Sequence, residues 1–347
     1  MTDDLVGVLL MSFGTPETLD DVPTYLSRVR GGRPVPDDLV AEMRRRFALV
    51  GGSPLTRITR AQAAALEGVL NGEEAPCAPG GPGDSGVRDP EAIERVRPRS
   101  GFRVAVGMRH APPFIADGLA GLARAGARRI IAVILSPQYS PGIMGGYHRA
   151  LDAARSEHAD VQVAIAGAWY DVPEFVDALA GRLRDALGQV ARPERESVPV
   201  LFTAHSLPRS IAESEPAYLD QLRDTAALVA AHAGLSTDRW RFAYQSAGHT
   251  PEPWLTPDLK DVFPLLRAAG HRTAVVAPIQ FLADHLEVLY DLDVAAREQA
   301  RDAGIQFVRP ESLNTMPLFI RALACVVFRE LEGMSQRADA LARKGYG

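Results

Sequence analysis

The stretch 278–293 runs from a buried-strand pattern into a helical one that carries one imidazole and four carboxylates, of which Asp284, Glu287 and Asp291 form a spaced set of three. On an α-helix these three stand at i, i+3 and i+7 and project from one face. Oxygen ligands in such a row can hold a divalent cation or relay protons. Asp284 also suits a plainer role, because acidic side chains in a first turn favour the positive end of the helix dipole. Glu287 and Asp291 lie deeper, where Leu286, Val288, Leu289 and Leu292 make nearly every other face apolar. Another imidazole, His205, follows the apolar run 200–204 and opens the turn His205-Ser206-Leu207-Pro208. A lone histidine is more often structural than catalytic, but a strand end is where open α/β sheets bind ligands. An imidazole and a carboxylate row can together accept protons and pass a divalent cation along. A weak N/O site suits that task better than a tight thiolate one, because the ion must leave again.

Two further loops stand at predicted strand ends. Phe13-Gly14-Thr15-Pro16 is a tight turn into a helix whose free N–H groups can receive an anion, although it lacks the glycine spacing of a dinucleotide site. The loop 248–255 is braced by Pro251 and Pro253 and presents Trp254, an indole on which a planar ligand can stack or which can plug a core corner.

The elements that must position these residues read as eight strands, at 5–12, 102–108, 130–135, 161–166, 200–204, 242–246, 273–279 and 305–309. Helical patterns at 112–125, 174–190, 220–233 and 258–269 alternate with them, which predicts buried parallel sheets in an α/β fold. Four strands fall in each half. The predicted architecture is therefore two doubly wound Rossmann-like domains, each a four-stranded parallel sheet flanked by helices. Their expected extents are 1–168 and 169–315, with 316–347 forming a C-terminal helix, from about 317 to 331, that packs back on the first domain. Residues 71–100 hold a Pro/Gly cluster and read as a flexible insertion.

Composition narrows the function. The 347 residues are ordinary globular material with a formal charge of -5, which argues against general affinity for nucleic acid. Two cysteines, Cys77 and Cys325, cannot form a disulfide framework or give four thiolates to an iron–sulfur cluster, and a reducing compartment is expected. No apolar run approaches the ~20 residues needed to span a bilayer and no positive region precedes an apolar one at the start, so a cytoplasmic protein is expected.

Taken together, Leu9-Leu10-Met11-Ser12-Phe13-Gly14-Thr15-Pro16, Gly51-Gly52-Ser53-Pro54-Leu55, Thr203-Ala204-His205-Ser206-Leu207-Pro208, Tyr244-Gln245-Ser246 with residues 250–255, and residues 284–293 resemble the ferrochelatase family, most of all its water-soluble bacterial coproporphyrin branch. The resemblance spans nearly the whole chain. It implies a chelatase-like fold and a lyase-class enzyme of heme biosynthesis that inserts Fe2+, as substrate, into a porphyrin, with no tightly bound cofactor. Coproporphyrin III is the expected porphyrin, and a monomer the expected state. On the same resemblance, His205 is the metal-binding and proton-accepting histidine, Glu287 its partner across the cleft, and Asp291 the continuation of the metal path. Phe13, Thr15, Arg30, Arg46, Phe47, Ser53, Tyr147 and Trp254 would contact the tetrapyrrole or its propionates. Arginine suits a carboxylate because its planar fork donates two hydrogen bonds at once.

The chain departs from the family pattern at four positions. Phe13 and Phe47 stand where relatives have tyrosine, so neither offers an oxygen. Gln280 stands where many relatives have glycine, and Ala295 where some place a further outer carboxylate. Four rival readings use the same loops: insertion into protoporphyrin IX, a cobalt or nickel chelatase, a tetrapyrrole carrier that performs no insertion, and a hydrolase built on Ser206. The last lacks any G-x-S-x-G elbow around its serine.

Overall fold

A computed structural model describes residues 5–72, 94–248 and 252–344. Strand β1 (Val6–Ser12) is buried along its whole length, as an apolar run covered on both faces must be. It lies between β2 (Phe102–Met108) and β3 (Arg129–Ile134), with β4 (Gln162–Ile165) beyond β3, and all four are parallel in the order β2-β1-β3-β4. The second sheet repeats this plan. Here β5 (Val200–His205) lies between β6 (Trp240–Gln245) and β7 (Thr273–Pro278), β8 (Gln306–Val308) follows, and the order is β6-β5-β7-β8. In each sheet the chain steps from the first strand to one side and then back to the other, so the order reverses between β1 and β3 and between β5 and β7. Such switch points leave a crevice beyond the carboxyl ends of the strands.

Helices α1 (Val22–Val29), α2 (Asp37–Val50) and α3 (Leu55–Leu70) follow β1, α4 (Ile115–Arg124) follows β2, and α5 (Pro141–Arg155) follows β3. The second half opens with α6 (Pro173–Gln189), then places α7 (Pro216–His232) after β5 and α8 (Leu259–Ala268) after β6. A final helix, α9 (Pro317–Lys344), packs against α3, α6, β3 and β4. It runs past the expected stop near 331, where the apolar stripe gives way to polar helix formers that need no core to face. One continuous core joins the halves, with Val8, Phe175, Val200, Val275 and Phe328 among its members. Trp169 lies inside it, stacked on Phe319 at 6.4 Å, edge-on to Phe175 at 5.1 Å, and donating from Nε1 to the Ile134 carbonyl at 3.2 Å. The junction near 169 is a packed joint rather than a loose linker.

Of the insertion expected at 71–100, residues 73–93 lie outside the described residues. Its described ends are tied down: Asn71 pairs through its amide with the Phe102 backbone, and Arg97 donates to the carbonyls of Leu70 and Gly72. Cys325 on α9 is buried and disulfide-bonded, which runs against the reduced thiol expected from the sequence.

Candidate active site

Both switch points open into one cleft of about 990 Å³. The loops after β1 and β3 and helices α1, α2 and α3 line it from the first half; the loops after β5, β6 and β7 line it from the second. Of the eleven residues expected at the site, ten line this cleft: Phe13, Thr15, Arg46, Phe47, Ser53, Tyr147, His205, Trp254, Glu287 and Asp291. Arg30 is the exception. It caps the end of α1 and its Nε donates to the Pro34 carbonyl at 3.2 Å, outside the lining.

The carboxylate row differs from the α-helical expectation. Residues Glu287–Ala296 form a π-helix, a wider turn with i→i+5 hydrogen bonds that is frequent at functional sites. The face towards the cleft carries Glu287, Asp291 and Ala295, and Gln299 continues it in the α-helical turn that follows. Asp284 is not in the row. Its carboxylate accepts from Ser312 Oγ and Asn314 Nδ2 at 2.8 Å each and lies 3.5 Å from Arg309, so it anchors the entry to the helix instead.

His205 ends β5 at the cleft floor. Its backbone N–H donates to Gln280 Oε1 at 2.8 Å, and Gln280 Nε2 in turn reaches the buried Tyr218 hydroxyl at 2.5 Å. Beyond Thr203, where the β5–β7 ladder ends at Pro278, the Gln280 side chain thus stands in for the missing strand. The neighbouring Ser206 is fully buried and donates to the Leu255 carbonyl at 3.1 Å, which makes it a loop clamp rather than a nucleophile.

His205 Nδ1 is buried, has no hydrogen-bond partner among the described residues, and stands 3.7 Å from Glu287 Oε2. An ion held about 2.1 Å from a nitrogen and an oxygen fits between atoms so spaced. A second imidazole, His285, brings Nε2 within 3.6 Å of the same oxygen, while its Nδ1 lies 3.1 Å from the Ala283 carbonyl. That carbonyl can only accept, so Nδ1 carries a proton. Enclosure by the cleft walls opposes ionisation of Glu287, yet the adjacent His285 and the charge of His205 outweigh it and hold the carboxyl at about 2. Burial pushes the Asp291 carboxyl the other way, upwards, with the Glu287 charge adding to it and Arg46 opposing. Among the described residues no three His, Cys, Asp or Glu side chains are arranged to clasp a metal.

The facing wall is aromatic around the turn after β1. Phe13 is 38% exposed at the turn after β1 and packs on His110 at 4.5 Å. Burial, with the charges of Arg109 and Arg28 beside it, lowers the His110 imidazole to about 4, so the ring is uncharged at neutral pH. The Arg109 guanidinium lies 6.0 Å from the Phe13 ring and 5.6 Å from the Tyr147 ring. It presses on Gly146, where a Cβ would come within 1.9 Å of its Cζ. Tyr25 donates to the Gly14 carbonyl at 3.3 Å, and burial together with the Glu287 charge keeps its phenol protonated. Trp254 packs on Gly248, where a Cβ would stand 2.3 Å from the indole. His249, Thr250 and Pro251 of the same loop lie outside the described residues. Ser53 Oγ and Gln245 Nε2 join His205 Nδ1 as buried polar atoms of the cleft lining without a partner among the described residues.

His285, Tyr25, Gln280 and His110 had no assigned role in the sequence. His285 sits beside the carboxylates in the chain, but on an α-helical reading nothing turns it towards Glu287, and the other three meet the site only through tertiary packing.

Two parallel sheets with reversing strand order, a cleft across both switch points and an unclasped N/O site define a chelatase-like protein. Solved structures agree at the level of fold. The sirohydrochlorin chelatase SirB from Bacillus subtilis subspecies spizizenii in complex with cobalt superposes with a TM-score of 0.52 at 12% identity, over 96% of this chain and 97% of that one. The Ferrochelatase family model matches residues 5–80 and 90–331. This chain is 38% identical to a ferrochelatase of Deinococcus radiodurans over 94% of its length and 96% of the relative. It is 34% identical to the coproporphyrin III ferrochelatase of Geobacillus kaustophilus, over 95% and 97%, and 32% identical to that of Bacillus subtilis, over 95% and 99%. The chain belongs to the ferrochelatase family. Among the described residues no helix is long and apolar enough to cross a membrane.

Proposed function

We propose that this protein inserts ferrous iron into a porphyrin bound in the cleft, in heme biosynthesis, with coproporphyrin III as the physiological substrate. The observation that carries the reading is the unpartnered His205 Nδ1 facing Glu287 Oε2 at 3.7 Å on the floor of a cleft wide enough for a macrocycle. Its relatives named for coproporphyrin III support the choice of porphyrin.

Insertion exchanges two pyrrole protons for one divalent ion, so the site must take up protons while the ion sheds water. His205 Nδ1 takes the two pyrrole protons in turn and hands each on to water at the mouth of the cleft, which frees its lone pair again, and the ionised Glu287 beside it stabilises the imidazolium each time it forms. Asp291, next along the π-helix, passes the ion inwards. Phe13 and Tyr147 press on the macrocycle from the other wall and bend it, which tips pyrrole lone pairs out of plane towards the ion. Contacts with the propionates at Arg46, Ser53 and Thr15 supply that strain, on the order of 1–5 kcal/mol. Iron is a substrate here, and no resident cofactor or iron–sulfur cluster takes part, since two cysteines cannot ligate one.

Zinc or ferrous insertion followed by porphyrin fluorescence tests the reading. His205→Ala should lose turnover while its circular dichroism stays native, and normal turnover in that variant contradicts the assigned role. A higher kcat/KM for coproporphyrin III than for protoporphyrin IX is expected, and the reverse order would reassign the substrate. The proposal has the protein act as a cytoplasmic monomer, which cell fractionation and light scattering check.

A further inference from the structure

Arg46 holds two carboxylates at once. Its Nε donates to Glu42 Oε1 at 2.8 Å, its Nη1 stands 3.6 Å from Asp291 Oδ1, and its guanidinium lies 4.6 Å over the Tyr290 ring. Helix α2 thereby reaches the π-helix and sets a permanent positive charge against the outer member of the Glu287–Asp291 row. A guanidinium cannot shed that charge by deprotonating. While it stays, a divalent ion arriving at Asp291 meets a cation and a carboxylate already spoken for.

The two contacts are unequal. At 2.8 Å the Glu42 contact is a charge-assisted hydrogen bond, whereas 3.6 Å to Asp291 is beyond hydrogen-bond reach. A third carboxylate entering the cleft can therefore displace Asp291 and leave Glu42 in place, the Tyr290 ring carrying the guanidinium as it turns. Of the cleft-lining cations, Arg46 and Lys260 among the described residues, only Arg46 touches the metal path.

We propose that Arg46 couples the two substrates: in the empty cleft it neutralises Asp291 and weakens metal binding, and a porphyrin propionate draws it away and opens the row to the metal. This rests on the porphyrin and metal reading given above. Coupling of this kind is reciprocal, so metal and porphyrin each tighten the other by the same factor. Without a porphyrin the protein does not trap divalent ions.

The experiment is zinc affinity of the porphyrin-free protein, measured by competition with a zinc-sensing dye, for wild type, Arg46→Met and Arg46→Lys. Methionine keeps much of the stem without charge, and circular dichroism checks the fold. The methionine variant should bind zinc more tightly, by on the order of fivefold or more, the lower range of allosteric couplings. The lysine variant should stay close to wild type. Equal or weaker zinc binding by Arg46→Met, or equal tightening by Arg46→Lys, overturns the coupling. Failure of the functional reading looks different: wild type would insert no metal into any porphyrin. Failure of the coupling alone leaves insertion intact and zinc affinity indifferent to Arg46.

Discussion

The two halves of the molecule share one strand order, β2-β1-β3-β4 and β6-β5-β7-β8, and bring equivalent strand ends to one cleft. At those ends they place opposite chemistry. Phe13 directly follows β1, and His205 is the last residue of β5. The segment after β3 leads to the buried phenol of Tyr147, and the segment after β7 leads to Gln280, His285, Glu287 and Asp291. Around the turn after β1, burial holds His110 and Tyr25 neutral, and the charges of the first-half wall lie apart from them on α2, where Arg46 pairs with Glu42. The second half keeps Glu287 ionised and His205 Nδ1 without a partner among the described residues. The topology fixes where the cleft lies, and the residues at the strand ends give its two walls different chemistry.

If that division holds, substitutions in the second half cut kcat and those in the first half act on porphyrin binding and distortion. The largest effect belongs to His205→Ala, about 10²–10⁴-fold in kcat by the usual scale of general-base loss. Glu287→Gln comes next, about 10²-fold, because an amide still hydrogen-bonds but neither carries charge nor accepts a proton. The same variant has a signature in stability. A carboxyl lowered from 4.5 to about 2 stabilises the fold above pH 4.5, and that contribution is lost as pH falls towards 2. Urea unfolding should therefore decline less steeply across this window in Glu287→Gln than in wild type, and parallel curves contradict the assignment. Phe13→Ala should cost roughly tenfold in kcat/KM for porphyrin through lost distortion, with metal KM unchanged. A loss confined to metal KM would blur the two halves. The smallest effect is expected for Arg30→Ala, whose guanidinium serves its own turn: porphyrin affinity by fluorescence quenching should stay within about twofold.

Much of this was legible in the sequence because it depends on local pattern. Strands β1, β2, β5 and β7 fall within a residue of the apolar runs that announce them, since buried parallel strands are continuous and bounded by turn residues. His205 was legible because it terminates such a run. The π-helix was not: spacings of three, four and seven fit an α-helix equally well, and Asp284 leaves the row through contacts with Ser312, Asn314 and Arg309, which lie about 25–30 residues further along the chain. Arg46 lies in a run of three arginines that by its own pattern reads as a solvated face; the resemblance marks it for the porphyrin, and its approach to Asp291 and Tyr290 appears only in the fold. Residues in the loop after β7 and on α1 acquire roles from what packs against them, which no window of sequence contains.

The most direct test of the central claim is anomalous scattering from a zinc-soaked crystal with porphyrin in the cleft. The account predicts a zinc peak about 2.1 Å from both His205 Nδ1 and a Glu287 oxygen. A peak held by other side chains, with those two atoms unoccupied at saturating zinc, would contradict it.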